Sequence, residues 1–239
     1  MDELKETGPS PAMQRYAAEI YRLQQDHEQV SLTDLVHEVD NSMQAVSRMV
    51  KRLKDDGHIQ HTPYRGMRLT DSGERIAMPA LRRHRLAEVY LVQHMGYDWA
   101  SAHELTGTFE RGLNQELEDR IDDLTGHPTR CPHGEPIPTR AGVITPPDDR
   151  PLVEVGSKVW CRISRVRTHD MDKLRYIAEL GLTPGTDIYV MGCAPFQGPL
   201  RIQTREHKVD QIIGHELARA LWVEHVHHSP PPQPRKRMT

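Results

Sequence analysis

The sequence predicts a mainly α-helical chain that ends in a small, mostly β domain. Apolar residues recur with the period of an α-helix through residues 10–125, one segment after another. Seven prolines then fall within residues 126–151, which is too many for a helix or a central strand and predicts a connector. Alternating β-branched residues and turn dipeptides fill residues 153–225, with one short helix near residues 172–180.

The composition excludes several classes of protein. The 239 residues carry 31 Lys and Arg against 34 Asp and Glu, so the net charge of -3 excludes a uniformly basic protein that coats nucleic acid. No apolar run approaches the roughly 18 residues of a membrane helix, and the first residues lack the pattern of a signal peptide. Three widely spaced cysteines form neither a disulfide framework nor a CxxC zinc motif. We expect a soluble protein of a reducing compartment, and its 15 histidines raise the question of metal binding.

The helical part begins with two amphipathic helices, the first predicted for about residues 11–26. Ser10 is placed to cap a helix that begins at Pro11, and Ser31 is placed to open a second, shorter helix. A third helix is predicted for residues 42–57, where Gly57 ends it. Its apolar residues share one face, which we expect to be buried: Val46, Met49, Val50 and Leu53.

Residues 58–73 follow this helix and predict two short strands around a turn at residues 65–66. Helix, short helix, basic helix and hairpin in this order predict a winged helix-turn-helix. Between Ser42 and Arg68 there are six Lys or Arg against two Asp, a net charge of +4. A helix fits the major groove, where short polar side chains and arginine read base edges, and arginines of a wing neutralise phosphates.

We therefore predict binding to double-stranded DNA through eight residues: Ser42, Gln44, Ser47, Arg48, Lys51, Arg52, Arg65 and Arg68. The alternative is a solvated charged helix that precedes an ordinary hairpin and contacts no nucleic acid.

Two further segments carry a resemblance to a known family: RRHRLAEVYLVQHMGYDWASAHE at residues 82–104 and CPHGEPIP at residues 131–138. Together with the winged helix and the β domain, they resemble the diphtheria-toxin-repressor family of metal-dependent repressors. The resemblance covers about residues 13–225 and is greatest to manganese transport regulators with a C-terminal domain like ferrous-iron-transport protein A, a FeoA-like domain. It implies a cytoplasmic homodimer that binds palindromic operators when Mn²⁺ or Fe²⁺ is plentiful, represses metal uptake genes and is not an enzyme.

The resemblance also implies a division into domains. We expect, in chain order, a winged helix-turn-helix domain (1–73), a helical dimerisation and metal-binding domain (74–125), the Pro-rich connector (126–151), a FeoA-like small five-stranded β-barrel (152–226) and a disordered tail (227–239). Dimer contacts are expected from apolar residues of the second domain: Ile76, Leu81, Leu86, Val89, Tyr90, Leu113, Leu117, Ile121 and Leu124.

The family has two metal sites, and the resemblance implies that the regulatory one is lost here. Its positions hold Arg15, Gly107, Glu110 and Arg111, and a guanidinium has no lone pair to donate to a cation. We expect Arg15 and Arg111 to pair with Glu110 in place of a metal. Three exposed and unpaired side chains are the alternative.

The resemblance implies that the second site is retained. His84 and Glu88 are four residues apart, so they share one helix face, and His103 stands where the family supplies a further ligand. Cys131 and His133 of the connector add a thiolate and an imidazole. The β domain would add a carboxylate from Asp170 or from Asp172. Because these ligands would come from both sides of the connector, a bound metal would hold the domains together, and its binding free energy would stabilise their docking.

The predicted ligands leave more than one metal open. Imidazole and carboxylate suit Mn²⁺ or Fe²⁺, whereas a thiolate favours Zn²⁺ or Fe²⁺. The CPHG segment favours Mn²⁺ through the resemblance, with Fe²⁺ and Zn²⁺ as alternatives.

Two other functions are compatible with the sequence. One is a winged-helix transcription factor that needs no metal, because the Arg15, Glu110 and Arg111 cluster replaces the regulatory ion. The other is a metallohydrolase that uses His84, Glu88 and His133, although the sequence has no nucleophile paired with a base and no Gly-rich phosphate loop.

Overall fold

The computed structural model of the protein describes residues 8–25, 28–39, 41–62, 65–168, 170–205 and 210–226, so the predicted tail lies outside the described residues. The chain forms two compact units. The first unit comprises Met1–Leu86, Leu113–Glu118 and Ile137–Thr145. The second comprises Ala87–Gly112, Asp119–Pro136 and Pro146–Thr239. No helix in the described ranges has the length and apolar content that a membrane span requires.

The first unit begins with three helices and a hairpin. These elements are α1 (Pro11–Leu23), α2 (Leu32–Val39), α3 (Met43–Asp55), β1 (Ile59–Thr62) and β2 (Gly66–Leu69). Ser10 caps α1 as predicted, since its Oγ accepts a hydrogen bond from the Met13 amide at 3.3 Å. At the start of α2, the Ser31 Oγ accepts from the Asp34 amide at 3.1 Å and donates to Asp34 Oδ2 at 2.6 Å.

Apolar side chains of the three helices and the hairpin form one core. On α3, Val46, Val50 and Leu53 are buried as predicted, and Met49 is partly buried. The hairpin is tied to the chain before α2 by an antiparallel bridge between Val30 and Met67. Burying one side of α3 leaves its polar side in solvent.

The longest helix is α4 (Asp71–Gln93), which begins in the first unit and ends in the second. In the first unit, the buried carboxylate of Glu118 lies 3.2 Å from Arg82 Nε and 3.5 Å from Arg83 Nε. Arg82 also donates to the carbonyl of Pro138 at 2.9 Å. These contacts hold two later segments of the first unit against α4.

The second unit contains the end of α4, then α5 (Trp99–Phe109) and most of α6 (Gln115–Leu124), followed by the β domain. Within its described residues, the β domain has six strands and two α-helices: β3 (Arg150–Pro151), β4 (Val159–Val166), α7 (Met171–Glu179), β5 (Asp187–Cys193), β6 (Leu200–Thr204), β7 (Asp210–Ile213), α8 (His215–Ala220) and β8 (Leu221–His225). The helix α7 confirms the predicted short helix, whereas α8 was not predicted.

The predicted five-stranded barrel is wrong in its details. The described sheet has six antiparallel strands in the order β3-β8-β4-β5-β6-β7, so β3 and β7 are its edges and it is open. The additional strand comes from the end of the proline-rich connector, where Pro151 pairs with Trp222 of β8. Proline is tolerated there because β3 is an edge strand and needs no amide on its outer side.

Helix α5 and the β domain share one core in the second unit. Trp99 and Ala100 of α5 pack in the same buried cluster as Leu152, Ile163 and Leu174. The beginning of α5 is fixed by Asp98, whose carboxylate accepts hydrogen bonds from two amides of the first turn. This packing determines where α5 presents its polar side chains.

Candidate metal centre and DNA-contacting surface

The outer face of α3 and the hairpin of the first unit carry the predicted DNA-contacting residues. All eight of them are exposed: Ser42, Gln44, Ser47, Arg48, Lys51, Arg52, Arg65 and Arg68. Ser42 is also the N-cap of α3, since its Oγ accepts from the Ala45 amide at 3.3 Å. The exposed side chain of Met43 begins the same region and was not among the predicted contacts.

In the hairpin, β1 and β2 pair with Gln60 opposite Arg68 and Thr62 opposite Gly66. Gly66 has φ +121°, and a Cβ there would lie 2.5 Å from the carbonyl oxygen of Val30. Only glycine fits this close approach, because the clash would be with backbone. The hairpin therefore has a fixed place in the first unit, with its arginine side chains in solvent.

In the second unit, candidate metal ligands converge on Glu88 of α4, which is almost fully buried. One carboxylate oxygen of Glu88 lies 2.8 Å from Nδ1 of His103 on α5. The other lies 3.4 Å from Nδ1 of His133, and the Cys131 sulfur lies 4.0 Å from that same nitrogen. Glu88, Cys131 and His133 each offer one ligand atom, and these three atoms lie within 4.8 Å of one another. A single cation could therefore be bound by all three residues.

The connector supplies two of these candidate ligands, Cys131 and His133, from a tight turn at residues 131–135, which we call the ligand-bearing turn. The Gly134 amide donates to the Cys131 carbonyl at 2.8 Å, and the Cys131 amide donates to the Glu135 carbonyl at 2.9 Å. Outside the turn, the Val166 amide of β4 donates to the His133 carbonyl at 2.8 Å. The β domain therefore sets the position of the ligand-bearing turn.

The donor set fits a divalent transition metal. A carboxylate, a thiol and imidazoles are gathered in a buried place, and such groups are costly to bury without a partner. His133 faces both Glu88 and Cys131 through its Nδ1 atom, so one imidazole nitrogen, one carboxylate oxygen and one sulfur point to the same place. These observations agree with a metal at Glu88, Cys131 and His133.

Trp99 is a part of the site that the sequence reasoning missed. Its ring stacks on the His133 imidazole, with 5.1 Å between centroids and 22° between the planes. The His103 ring meets His133 edge-on at 5.2 Å. Trp99 precedes His103 by four residues, so the helix spacing on α5 was a signal that could have found it.

The structure does not bring Asp170 or Asp172 into the group with Glu88. Asp170 is the N-cap of α7, where its Oδ1 accepts from the Asp172 amide at 3.0 Å and from the Lys173 amide at 3.2 Å. The Asp172 side chain is 96% exposed and lies 3.3 Å from Arg175. An aspartate before a helix is as typical of a cap as of a metal ligand, and sequence alone does not separate the two roles.

Two sets of predicted residues remain: the ligand His84, and the residues that stand at the positions of the lost regulatory metal site. His84 is partly buried on α4, four residues before Glu88 and on the same side of that helix. Arg15 lies on α1 in the first unit, and Glu110 and Arg111 form a single 3₁₀ turn after α5 in the second unit. Their pairing stays a prediction.

Several residues expected at a dimer contact are already buried within the described part of the chain. Leu81, Leu86 and Val89 are fully or almost fully buried in the described chain, so they leave little or no surface for a partner. Leu117 and Leu124 are exposed as a contact requires. The helix period identified apolar residues correctly but did not separate the side that faces the chain's own core from the side that faces outward.

An exposed basic helix in a winged helix-turn-helix, together with a buried carboxylate, thiol and imidazole group, defines a metal-dependent DNA-binding protein. Family models match three consecutive parts of the chain. Residues 10–67 match the N-terminal DNA binding domain of the iron dependent repressor, and residues 70–139 match its metal binding and dimerisation domain. Residues 150–225 match the FeoA domain. The chain belongs to this family of iron-dependent and diphtheria-toxin repressors, as predicted.

Known relatives agree with this assignment. The chain is 29% identical over 238 residues to the iron-dependent repressor IdeR of Mycobacterium tuberculosis (strain ATCC 25618 / H37Rv), covering 95% of this chain and 100% of that protein. It is 29% identical over 116 residues to the transcriptional regulator MntR of Lysinibacillus sphaericus (strain C3-41), covering 48% of this chain and 83% of that protein. A solved manganese-dependent transcriptional repressor in complex with manganese superimposes with a TM-score of 0.80 and 29% identity, covering 90% of this chain and 100% of that one.

These matches decide between the functions left open by the sequence. They describe DNA-binding, metal-binding and dimerisation domains of repressors, which confirms a metal-dependent repressor and not an enzyme. They do not favour the alternative in which an arginine cluster replaces the metal.

Proposed function

We propose that this protein is a homodimeric repressor of metal uptake genes that binds its operator when manganese is plentiful. The observation that carries the proposal is the buried group of Glu88, Cys131 and His133, present in the same chain as the exposed basic face of α3. Because DNA and the metal pool must both be accessible to such a regulator, we place it in the cytoplasm.

We propose Glu88, His103, Cys131 and His133 as metal ligands, with His84 from the same helix as Glu88. Binding requires the thiolate of Cys131 and neutral imidazoles, so metal uptake releases protons. A bound cation would neutralise the buried Glu88 carboxylate and the Cys131 thiolate. Through Glu88, His103, Cys131 and His133, it would thereby hold the end of α4 and α5 to the connector turn within the second unit.

Mn²⁺ is our proposed metal, with Fe²⁺ and Zn²⁺ as alternatives. Carboxylate and imidazole ligands suit Mn²⁺ and Fe²⁺, and the similar solved structure is a manganese complex. The Cys131 thiolate favours Fe²⁺ or Zn²⁺, and the relative from Mycobacterium tuberculosis is an iron-dependent repressor. A comparison of the three metals by titration calorimetry distinguishes them.

We propose that α3 enters the major groove, where Arg48 and its polar neighbours read base edges. Arg65 and Arg68 of the hairpin would neutralise phosphates. A two-fold symmetric dimer presents two such helices, so its operator would be a palindrome with half-sites about one duplex turn apart, or a multiple of it.

The proposal is tested with Glu88→Gln, which keeps the size of the side chain and removes its charge. Glu104→Gln is the matched control, because Glu104 lies next to His103 on α5 but is exposed. The DNA is a duplex selected from a random pool by the Mn²⁺-loaded wild-type protein, and binding is measured by fluorescence anisotropy. We expect a chelator to weaken wild-type binding and added Mn²⁺ to restore it.

Glu88→Gln should no longer respond to Mn²⁺, while Glu104→Gln should behave as wild type. Wild-type DNA binding that is equal with and without chelator would contradict metal control. A Glu88→Gln protein that binds Mn²⁺ normally in calorimetry would contradict the proposed ligands.

A further inference from the structure

A buried cluster of charges joins the connector to the β domain in the second unit, next to the ligand-bearing turn. Arg165 of β4 binds Asp149 through two hydrogen bonds, both 2.9 Å, from Nε and Nη2. Its remaining nitrogen, Nη1, donates to Glu135 at 3.2 Å. The Asp149 side chain is 1% exposed, so this fork lies in a place where an unpaired charge is costly.

Further contacts fix the guanidinium. Ser164 donates its hydroxyl hydrogen to Asp149 at 2.5 Å. The Arg165 guanidinium carbon lies 4.4 Å from the centroid of the Trp222 ring, and that of Arg167 lies 4.6 Å from the same centroid. With the carboxylates on one side and the indole ring beside it, Arg165 has little freedom to move.

This cluster is connected to the metal ligands through the backbone. Glu135 follows His133 by two residues, and Val166, whose amide donates to the His133 carbonyl, directly follows Arg165. Gly134 lies between these two contacts, so close to β4 that a Cβ there would be 2.1 Å from the Ser164 carbonyl oxygen. The turn with Cys131 and His133 is therefore held to β4 by a backbone hydrogen bond and by the Arg165 side chain.

We infer that Arg165 is a positioning residue for the metal site, a role that rests on the ligands proposed above. Its side chain supplies no ligand. By binding Glu135 and Asp149 it holds the Cys131 and His133 ligands where Glu88 meets them, so the cation finds three ligands already in place. Removing a residue that holds metal ligands in place without binding the metal typically lowers metal affinity by about 10- to 100-fold.

The test uses Co²⁺ as the probe, because a cysteine thiolate bound to Co²⁺ gives a charge-transfer absorption that reports Cys131 directly. The variants are Arg165→Met, Cys131→Ser and the double variant. Arg162→Met is the matched control, because Arg162 lies on the same strand but pairs with Asp187 at 2.7 Å and is half-exposed. Glu135→Gln is a milder variant that leaves the buried Arg165 and Asp149 pair intact, and it decides the outcome if Arg165→Met does not fold.

We expect Arg165→Met to lower Co²⁺ affinity about 10- to 100-fold and to weaken the thiolate absorption at saturating Co²⁺. Glu135→Gln should change both in the same direction by less, and Arg162→Met should change neither. The double variant should lose less Co²⁺ affinity than the two single losses combined, because part of the effect of Arg165→Met is the misplacement of Cys131, which Cys131→Ser has already removed.

A purely structural role would lower the unfolding temperature of the metal-free protein but leave the thiolate absorption at saturation unchanged. That result, or losses that add in the double variant, would overturn the inference. A Cys131→Ser protein with wild-type Co²⁺ affinity would instead refute the proposed ligand set, so the two failures are distinguishable.

Discussion

Gly134→Ala tests whether the ligand-bearing turn is fixed by backbone contact with β4. Gly134 has φ +83°, a conformation that alanine rarely adopts. A Cβ there would lie 2.1 Å from the Ser164 carbonyl oxygen and 2.6 Å from the Arg165 Cα. Both neighbours are backbone atoms, so rotation of a side chain cannot relieve the overlap.

The expected loss has two parts. Placing alanine in the left-handed region costs about 1–2 kcal/mol. Accommodating the overlap costs about 1–3 kcal/mol more, since β4 or the turn must move and the bond from Val166 to the His133 carbonyl weakens. Gly126→Ala separates the two parts, because Gly126 has φ +74° but nothing lies within 4 Å of the position that a Cβ would take there.

The assay is urea unfolding of the metal-free protein, followed by tryptophan fluorescence. All three tryptophans, Trp99, Trp160 and Trp222, lie in the second unit, so the signal reports that unit. We expect the free energy of unfolding of Gly134→Ala to be about 1–3 kcal/mol lower than that of Gly126→Ala. Equal losses in the two variants would refute the argument that the turn is in rigid contact with β4.

Three further predictions concern other parts of the molecule. Arg48→Ala should weaken binding to the selected operator by about 1–3 kcal/mol and binding to random duplex by less, and equal losses in anisotropy would remove its role in base reading. The hydrogen bond from Arg162 lowers the pKa of Asp187, so ionised Asp187 stabilises the folded protein at neutral pH and this stabilisation is lost as the pH falls below about 4. Asp187→Asn should therefore reduce the decline of the unfolding free energy at acid pH, measured by urea unfolding. An acid dependence equal to that of the wild type would contradict this prediction. Burial raises the pKa of Cys161 to about 12, so this thiol should react slowly at pH 8. A thiol reagent should label the exposed Cys193 first. Fast labelling that persists in Cys193→Ser would show that a buried thiol is reactive and would contradict the prediction.

Much of the first unit could be predicted because its signals are local. Ser10 and Ser31 cap helices where expected, and the apolar spacing of α3 gave its buried side. Caps and helix faces depend on residues within one helical turn of each other, so the sequence contains the relevant contacts.

The candidate metal centre could be predicted only in part. The CPHG segment and the spacing of His84 and Glu88 pointed to ligands, but the role of Trp99 and the cap at Asp170 were not apparent. Whether an aspartate caps a helix or binds a metal depends on which distant residues pack beside it. A single sequence does not contain that information.

The sequence by itself determined the succession of helices, hairpin and β domain, the exposed basic face of α3 and the types of ligand available to a metal. Tertiary structure decided that Glu88, Cys131 and His133 meet, that the end of the connector becomes a sixth strand, and that Arg165 holds the ligand-bearing turn. The physical reason is the separation along the sequence of the residues that must come into contact. Periodicity and capping reflect contacts between near neighbours in the chain, whereas a buried site requires the packing of segments that are far apart in it.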